Sequence, residues 1–212
     1  MRTLTKDMQQ ALTPAEALDV LKKGNERFVQ NLRANRNLLA QVNQTSDGQY
    51  PFAVILSCMD SRTSVELIFD QGLGDVFSIR IAGNVINEDI LGSIEFAVKL
   101  AGCKIVVVLG HTKCGAVTGA CNHVEMGNLT GLLKKISPAI QAEHTIVNNR
   151  NGTNESFVER VIDLNVANSI REIRRNSPII RDMEQQKIIE IVGGVYDIDS
   201  GTVKFFASDA LG

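Results

Sequence analysis

The chain has 212 residues, of which 44% are hydrophobic and 22% charged, with no tryptophan. A chain of this make-up suits one folded domain that buries about 70% of the surface its unfolded form exposes, and it excludes a largely disordered protein. Twenty-two basic residues against twenty-four acidic ones, evenly spread, give a formal charge of −2 and no basic stripe, which argues against nucleic acid as a partner.

The first thirty residues carry acids early and lack the continuous apolar core of a secretory signal, and no later run approaches the ~20 apolar residues needed to span a bilayer. A cytoplasmic protein without a membrane partner is expected. Thr13-Pro14-Ala15-Glu16 combines a capping hydroxyl, a proline at the first helical position and a glutamate three residues after the cap, so a helix should start there. Ala17, Leu18, Leu21, Phe28 and Leu32 keep roughly helical spacing and give residues 1–35 the character of a helical arm with one apolar stripe. That stripe can pack on its own domain or dock on a second subunit; the second reading makes the segment a dimerisation arm ahead of a core spanning 50–212.

Asn43 to Tyr50 reads as a polar loop, and Pro51 leads into a strand from Phe52 to Ser57. Thr63-Ser64-Val65-Glu66 predicts a second capping box and a short helix ending near Gly72 and Gly74. Val76 to Ile81 reads as a strand, Asn87 as the cap of a helix that stops at Gly102, and Lys104 to Leu109 as a further strand. This βαβ order implies parallel pairing with a right-handed crossover. A helix is expected after Cys114 to Ala120, another over Leu129 to His144 broken at Pro138, a loop at Asn148 to Asn154, and an amphipathic helix from Ser156 to Arg175. A strand at Lys187 to Gly193 and a hairpin turning at Asp199-Ser200-Gly201 close the chain. The fold class is therefore α/β: one domain with a central, mostly parallel sheet flanked by helices, and no internal repeat or linker.

Two of the strands end abruptly in polar residues, FAVILSCMDSR and KIVVVLGHTKCGAV. Ligand sites in open α/β sheets lie outside the carboxyl ends of strands, so neighbouring parallel strands would bring Cys58, His111 and Cys114 together. Two thiolates and an imidazole are a zinc set with one tetrahedral position open, as a catalytic ion requires. Four cysteines are too sparse for a disulfide framework. Cys103 and Cys121 read as core residues, and His123 and His144 as solvated positions.

Asp60 and Arg62 follow Cys58 closely enough to border the same ion. An arginine gripping the carboxylate through both oxygens can keep Asp60 off the metal and leave it to orient a zinc-bound hydroxide; the plain alternative is a surface ion pair of little worth. Two thiolates cancel the charge of the ion, so water on it is polarised less than by three imidazoles, and hydrogen bonds to the hydroxide matter more. The order G-x-x-x-x-G-K-[ST] of a phosphate loop, the third glycine of a dinucleotide site and the H-x-E with P-C-x-x-C of a zinc deaminase are all missing.

Cys58-Met59-Asp60-Ser61-Arg62, Ala82-Gly83-Asn84 and Gly110-His111-Thr112-Lys113-Cys114-Gly115 together resemble the β-class carbonic anhydrases, as do the arm from Thr13 to Phe28 and the closing stretch from Gly194 to Gly201. The resemblance implies reversible hydration of carbon dioxide to bicarbonate, one Zn2+ per chain on Cys58, His111 and Cys114, and Asp60 with Arg62 as the catalytic pair, Asp60 reaching the metal only in a closed state. It also implies a homodimer or a higher even-numbered oligomer whose substrate cleft lies between subunits, with Gln49, Phe77, Ala82, Phe96 and Gly115 at the lining positions. Phe96 stands where many plant-type members have tyrosine. Look-alikes with the same motif hydrolyse carbonyl sulfide or carbon disulfide, and a non-catalytic zinc protein is the alternative from another class. Some relatives close the site with the aspartate when bicarbonate fills a pocket of Trp, Arg and Tyr; here Arg80 matches that arginine but Ile55 stands at the tryptophan position, so an open site near neutral pH is expected.

Overall fold

The computed structural model describes residues 3–206; residues 1–2 and 207–212, at the ends of the expected arm and core, lie outside them. Three helices come first: α1 (Lys6–Ala11), α2 (Pro14–Val29) and α3 (Leu38–Gln44). The capping box that starts α2 is complete, with Thr13 accepting from the Glu16 amide and Glu16 accepting from the Thr13 amide. The core then runs β1 (Ala53–Ser57), α4 (Val65–Ile68), β2 (Val76–Arg80), α5 (Glu88–Glu95), β3 (Ile105–His111), α6 (Gly115–Cys121), α7 (Gly127–Lys134), α8 (Ser137–Ala142), α9 (Glu155–Asn176), α10 (Pro178–Gln185), β4 (Glu190–Tyr196) and β5 (Val203–Phe205). After α5, capped by Asn87 as expected, the helix widens into a π-helical turn over Phe96–Leu100 before Gly102 stops it.

The five strands lie in the order β2-β1-β3-β4-β5, with β1 to β4 parallel and β5 antiparallel to β4. Both faces of β1 and β3 are covered, which is why these strands are continuous aliphatic runs rather than alternating ones. Val54, Leu56, Val106 and Val108 face α5, α9 and α10, while Ala53, Ile55, Ile105 and Val107 face α2 and α4. The chain leaves β1 towards β2 on one side and returns through β3 towards β4 on the other. The direction therefore reverses between β1 and β3, where a crevice opens beyond the strand ends.

Several expectations shift. The first part of the arm's apolar stripe packs on its own domain, Ala17 and Leu21 being fully enclosed beside Phe52 and Phe69, while Leu32 at its end is exposed. Ser64, not Thr63, is the N-cap of α4, and its hydroxyl makes no capping bond. Strand β4 begins three residues later than Lys187, because Lys187 adopts a left-handed conformation (φ +58°) that terminates α10. Helix α10 has the same kind of start as α2, with Ser177 as cap and Pro178 in the first turn. Part of the expected loop Asn43 to Tyr50 belongs to α3, which Asn37 caps.

Candidate metal centre

Parallel register sets Ser57 of β1 beside Leu109 of β3, so Cys58 emerges one residue beyond β1 next to His111, the last residue of β3. Cys114 follows as the N-cap of α6 after a tight turn in which Lys113 takes φ +57°. The three side chains are buried, and their donor atoms all lie within 4.8 Å of one another. Among the described residues this is the one cluster of three such side chains, and it sits at the crevice where the strand direction reverses.

The donor set fits a tetrahedral ion on its own geometry. The Cys58 and Cys114 sulfurs are 4.0 Å apart, while two Zn–S bonds of about 2.3 Å at a tetrahedral angle span about 3.8 Å. His111 Nδ1 lies 2.9 Å from the Thr112 carbonyl oxygen. A carbonyl can only accept, so Nδ1 carries the proton and Nε2 keeps its lone pair. That Nε2 is buried and has no protein partner. The Cys114 thiol beside Cys58 favours the Cys58 thiolate above all, with the Gly83 amide adding to it, whereas the facing Cys58 sulfur and burial push Cys114 up. One thiolate is thus already favoured, and a cation would favour the second. The other two cysteines are inert by comparison: burial pushes Cys103 up to about 12 and Cys121 up to about 11.

The segment after Cys58 is pinned through its backbone. Thr63 Oγ1 shares its hydrogen between the carbonyl oxygens of Cys58 (2.8 Å) and Asp60 (2.9 Å). Arg80, at the end of β2, donates through Nε to the Cys58 carbonyl at 3.2 Å and through Nη2 to that of Asp60. Arg62 grips the Asp60 carboxylate with Nε on Oδ1 at 2.9 Å and Nη2 on Oδ2 at 2.8 Å. This fork holds the carboxyl well below the usual carboxylate range, and the Arg62 amide contributes in the same direction. The pinning roles of Thr63 and Arg80 were not legible: Thr63 reads as a helix cap, and contacts to distant backbone carbonyls leave no trace in residue spacing.

The expected cleft residues divide into two groups. Ala82 and Gly115 are close to the donors, Ala82 beside the Gly83 amide that faces Cys58 Sγ and Gly115 directly after Cys114. A side chain at Gly115 would meet nothing within 4 Å. Phe77 and Phe96 pack edge to face, with ring centroids 6.1 Å apart. Phe77 lies level with Val54, three residues before Arg80 along β2, which is roughly 10 Å short of the strand end. Gln49 precedes β1 at the opposite end of the sheet from Cys58, and no bond joins it to the donors.

The carbonic anhydrase family profile matches residues 53–203. Carbonic anhydrase 2 of Mycobacterium tuberculosis is 36% identical over 201 residues, covering 89% of this chain and 90% of its own. The β-carbonic anhydrase CafA of Aspergillus fumigatus superposes with a TM-score of 0.69 at 26% identity, over 93% of this chain and 94% of that one. At 24% identity, one of two tetrameric β-carbonic anhydrases of Sordaria macrospora shares the fold with a TM-score of 0.69, covering 91% of this chain and 95% of its own. With a profile spanning the whole sheet from β1 into β5 and relatives matched along nearly the full chain, the protein belongs to the β-carbonic anhydrase family.

Proposed function

We propose that the protein catalyses the reversible hydration of carbon dioxide to bicarbonate and a proton, with one zinc ion held by Cys58, His111 and Cys114. The observation that carries this reading is a buried cluster of three soft donors, one of them a histidine nitrogen without a protein partner, beside a carboxylate locked to arginine. The ion, when bound, acidifies a water and so supplies hydroxide at neutral pH. Asp60, ionised and acceptor-only, takes a hydrogen bond from the attacking oxygen and turns its lone pair towards carbon. Held well below the usual carboxylate range, Asp60 stays ionised and cannot store the released proton near neutral pH. The small residues Ala82 and Gly115 leave room for a linear apolar substrate.

The reading extends to two subunits sharing the cleft, in a homodimer or a higher even-numbered oligomer. In its support, Gln49, Phe77 and Phe96 are remote from the donors of their own chain, and β2 is a sheet edge with Phe96 and Leu100 exposed nearby. The arm, 1–35, adds the exposed side chains Val29 and Leu32. No helix among the described residues is long and apolar enough to cross a membrane; the cytosol is the proposed compartment, one in which four free cysteines stay reduced.

The deciding test is a stopped-flow carbon dioxide hydration assay on metal-analysed protein, run beside a carbonyl sulfide assay. Hydration that tracks one zinc per chain and disappears on chelation is expected. Carbonyl sulfide hydrolysis without hydration of carbon dioxide, or zinc without either activity, would overturn the proposal.

A further inference from the structure

Helix α9 buries Phe157, Val158, Val161, Ile162, Val166, Ile170 and Ile173, and within that apolar face it also buries two polar side chains one turn apart, Asn165 and Ser169. Neither is needed to fill space, since an aliphatic residue would pack there without desolvating a polar group. Both reach the same turn. Asn165 Nδ2 donates to the Gly83 carbonyl oxygen at 2.8 Å, and Ser169 Oγ donates to that of Asn84 at 3.0 Å. Asn165 Oδ1 and Asn84 Nδ2 are buried and find no partner among the described residues, so the burial of the Asn165 amide is offset through its single bond to Gly83.

The turn itself is strained. Gly83 and Asn84 are successive residues in left-handed conformation, with φ +66° and +44°. A Cβ at position 83 would stand 2.9 Å from Ile136 Cδ1, which would have to shift, and would sit on a left-handed backbone that favours glycine. In this conformation the Gly83 N–H is directed at Cys58 Sγ, 3.4 Å away. The two carbonyls of the turn are therefore anchored on α9 while its amide faces the sulfur.

We propose that Asn165 and Ser169 are positioning residues for the metal centre: by fixing the Gly83–Asn84 turn they keep the Gly83 amide on the Cys58 sulfur and so set how strongly that thiolate donates to a bound ion. The inference rests on reading Cys58 as a metal ligand. An N–H···S bond withdraws charge from sulfur and fixes the position from which it can donate. When the turn loosens, the sulfur becomes richer in electrons and loses the fixed placement that an ion requires.

The test compares Asn165→Ala and Ser169→Ala with Ile173→Val, a buried change on the same helix one turn beyond Ser169 that removes no polar group. Each protein is loaded with cobalt(II) for its thiolate-to-metal charge-transfer band and titrated with zinc against a chelator, with thermal unfolding measured alongside. In Asn165→Ala the band should move to longer wavelength and apparent zinc affinity should fall about 10-fold or more, the usual scale for losing an outer-shell partner. Ser169→Ala should change both in the same sense and by less, and Ile173→Val should leave both as in the wild type. A folded Asn165→Ala protein with an unmoved band and unchanged affinity would overturn the proposal. If Asn165→Ala does not fold, Ser169→Ala decides on the same two measurements. A wild-type protein whose cobalt form lacks any thiolate band would defeat the ligand reading itself, and this inference with it.

Discussion

Replacing Arg62 by alanine isolates the carboxylate of Asp60. The guanidinium fork makes two bonds to Asp60, with the arginine side chain 50% exposed and the aspartate 17% exposed. Charge-assisted bonds of this kind contribute about 1.5–3 kcal/mol each when shielded, but an exposed ion pair falls to about 1 kcal/mol or less. With one partner half in water, solvent screening discounts the pair, and roughly 5- to 150-fold in the population of the clamped rotamer is the outer range. The Arg62 amide also donates to Asp60 Oδ1 at 3.0 Å and survives the substitution, so the lower half of that range is the better expectation.

Once released, the carboxylate can turn towards the donors and take the fourth position on zinc. Stopped-flow hydration by Arg62→Ala should then fall by roughly 5- to 50-fold while zinc per chain stays constant, and X-ray absorption should register an added oxygen ligand. Without its arginine the acid rises towards its ordinary value of 3.8, still far below neutral, so the loss cannot be assigned to protonation. Arg62→Lys should be intermediate, because an ammonium cannot reproduce the fork. Full activity in Arg62→Ala, or a loss matched by zinc depletion, would refute the clamp.

Cys114→Ser should lose most of its zinc by metal analysis while Cys103→Ser keeps it, Cys103 being a core thiol that donates to the Pro51 carbonyl; equal retention would undo the ligand set. Glu143 is enclosed by Thr145, Ile146 and Arg150, and the Thr145 hydroxyl leads in lowering its carboxyl from 4.5 to about 2. Its folded-state pKa is depressed, so its stabilisation is complete above 4.5 and is lost as pH falls towards about 2; Glu143→Gln should flatten that limb of the melting profile, and an unchanged slope would count against it. Leu21→Ala should cost about 2–5 kcal/mol in urea unfolding as a fully buried core residue, whereas the exposed Leu32→Ala should stay within about 0.5 kcal/mol; similar values for the two would contradict own-domain packing of the arm.

The features legible in the sequence were those with a local cause. Strands β1 and β3 are buried on both faces and so appear as aliphatic runs, and the caps at Thr13 and Asn87 are short-range hydrogen-bond patterns. The three donors stood out because they interrupt such runs where strands end. Strand β4 runs on past Gly193, where the spacing ends it, because its glycines are packing positions inside the strand: a side chain at Gly193 would meet Val166 at 2.8 Å. Helix α10 was missed despite its Ser-Pro start, since the apolar positions Ile180 and Met183 alone face the core from that helix. Asn165 and Ser169 were hidden by the amphipathic pattern around them. Only the fold reveals that two polar residues on a buried face meet carbonyls more than eighty positions away.

The contacts around the centre divide its parts into fixed and movable ones. Cys58 is held through its carbonyl by Thr63 and Arg80 and at its sulfur by Gly83. His111 is tied to Thr112, whose amide donates to the Tyr196 carbonyl and whose hydroxyl accepts from the Ile198 amide. The Asp60 carbonyl is held by Thr63 and Arg80 as well. What remains able to change is the rotation of the Asp60 side chain, and Arg62 controls that. Arg80 donates from Nε and Nη2 to two backbone carbonyls, which ties its guanidinium to the ligand loop, and Ile55, sealed in the sheet face, has no hydrogen to offer an anion. A bicarbonate ion at Arg80 would meet the remaining guanidinium hydrogens but no indole beside them. A pocket lacking that second donor holds such an ion less well, which favours a centre that stays open while Asp60 and Arg62 remain paired.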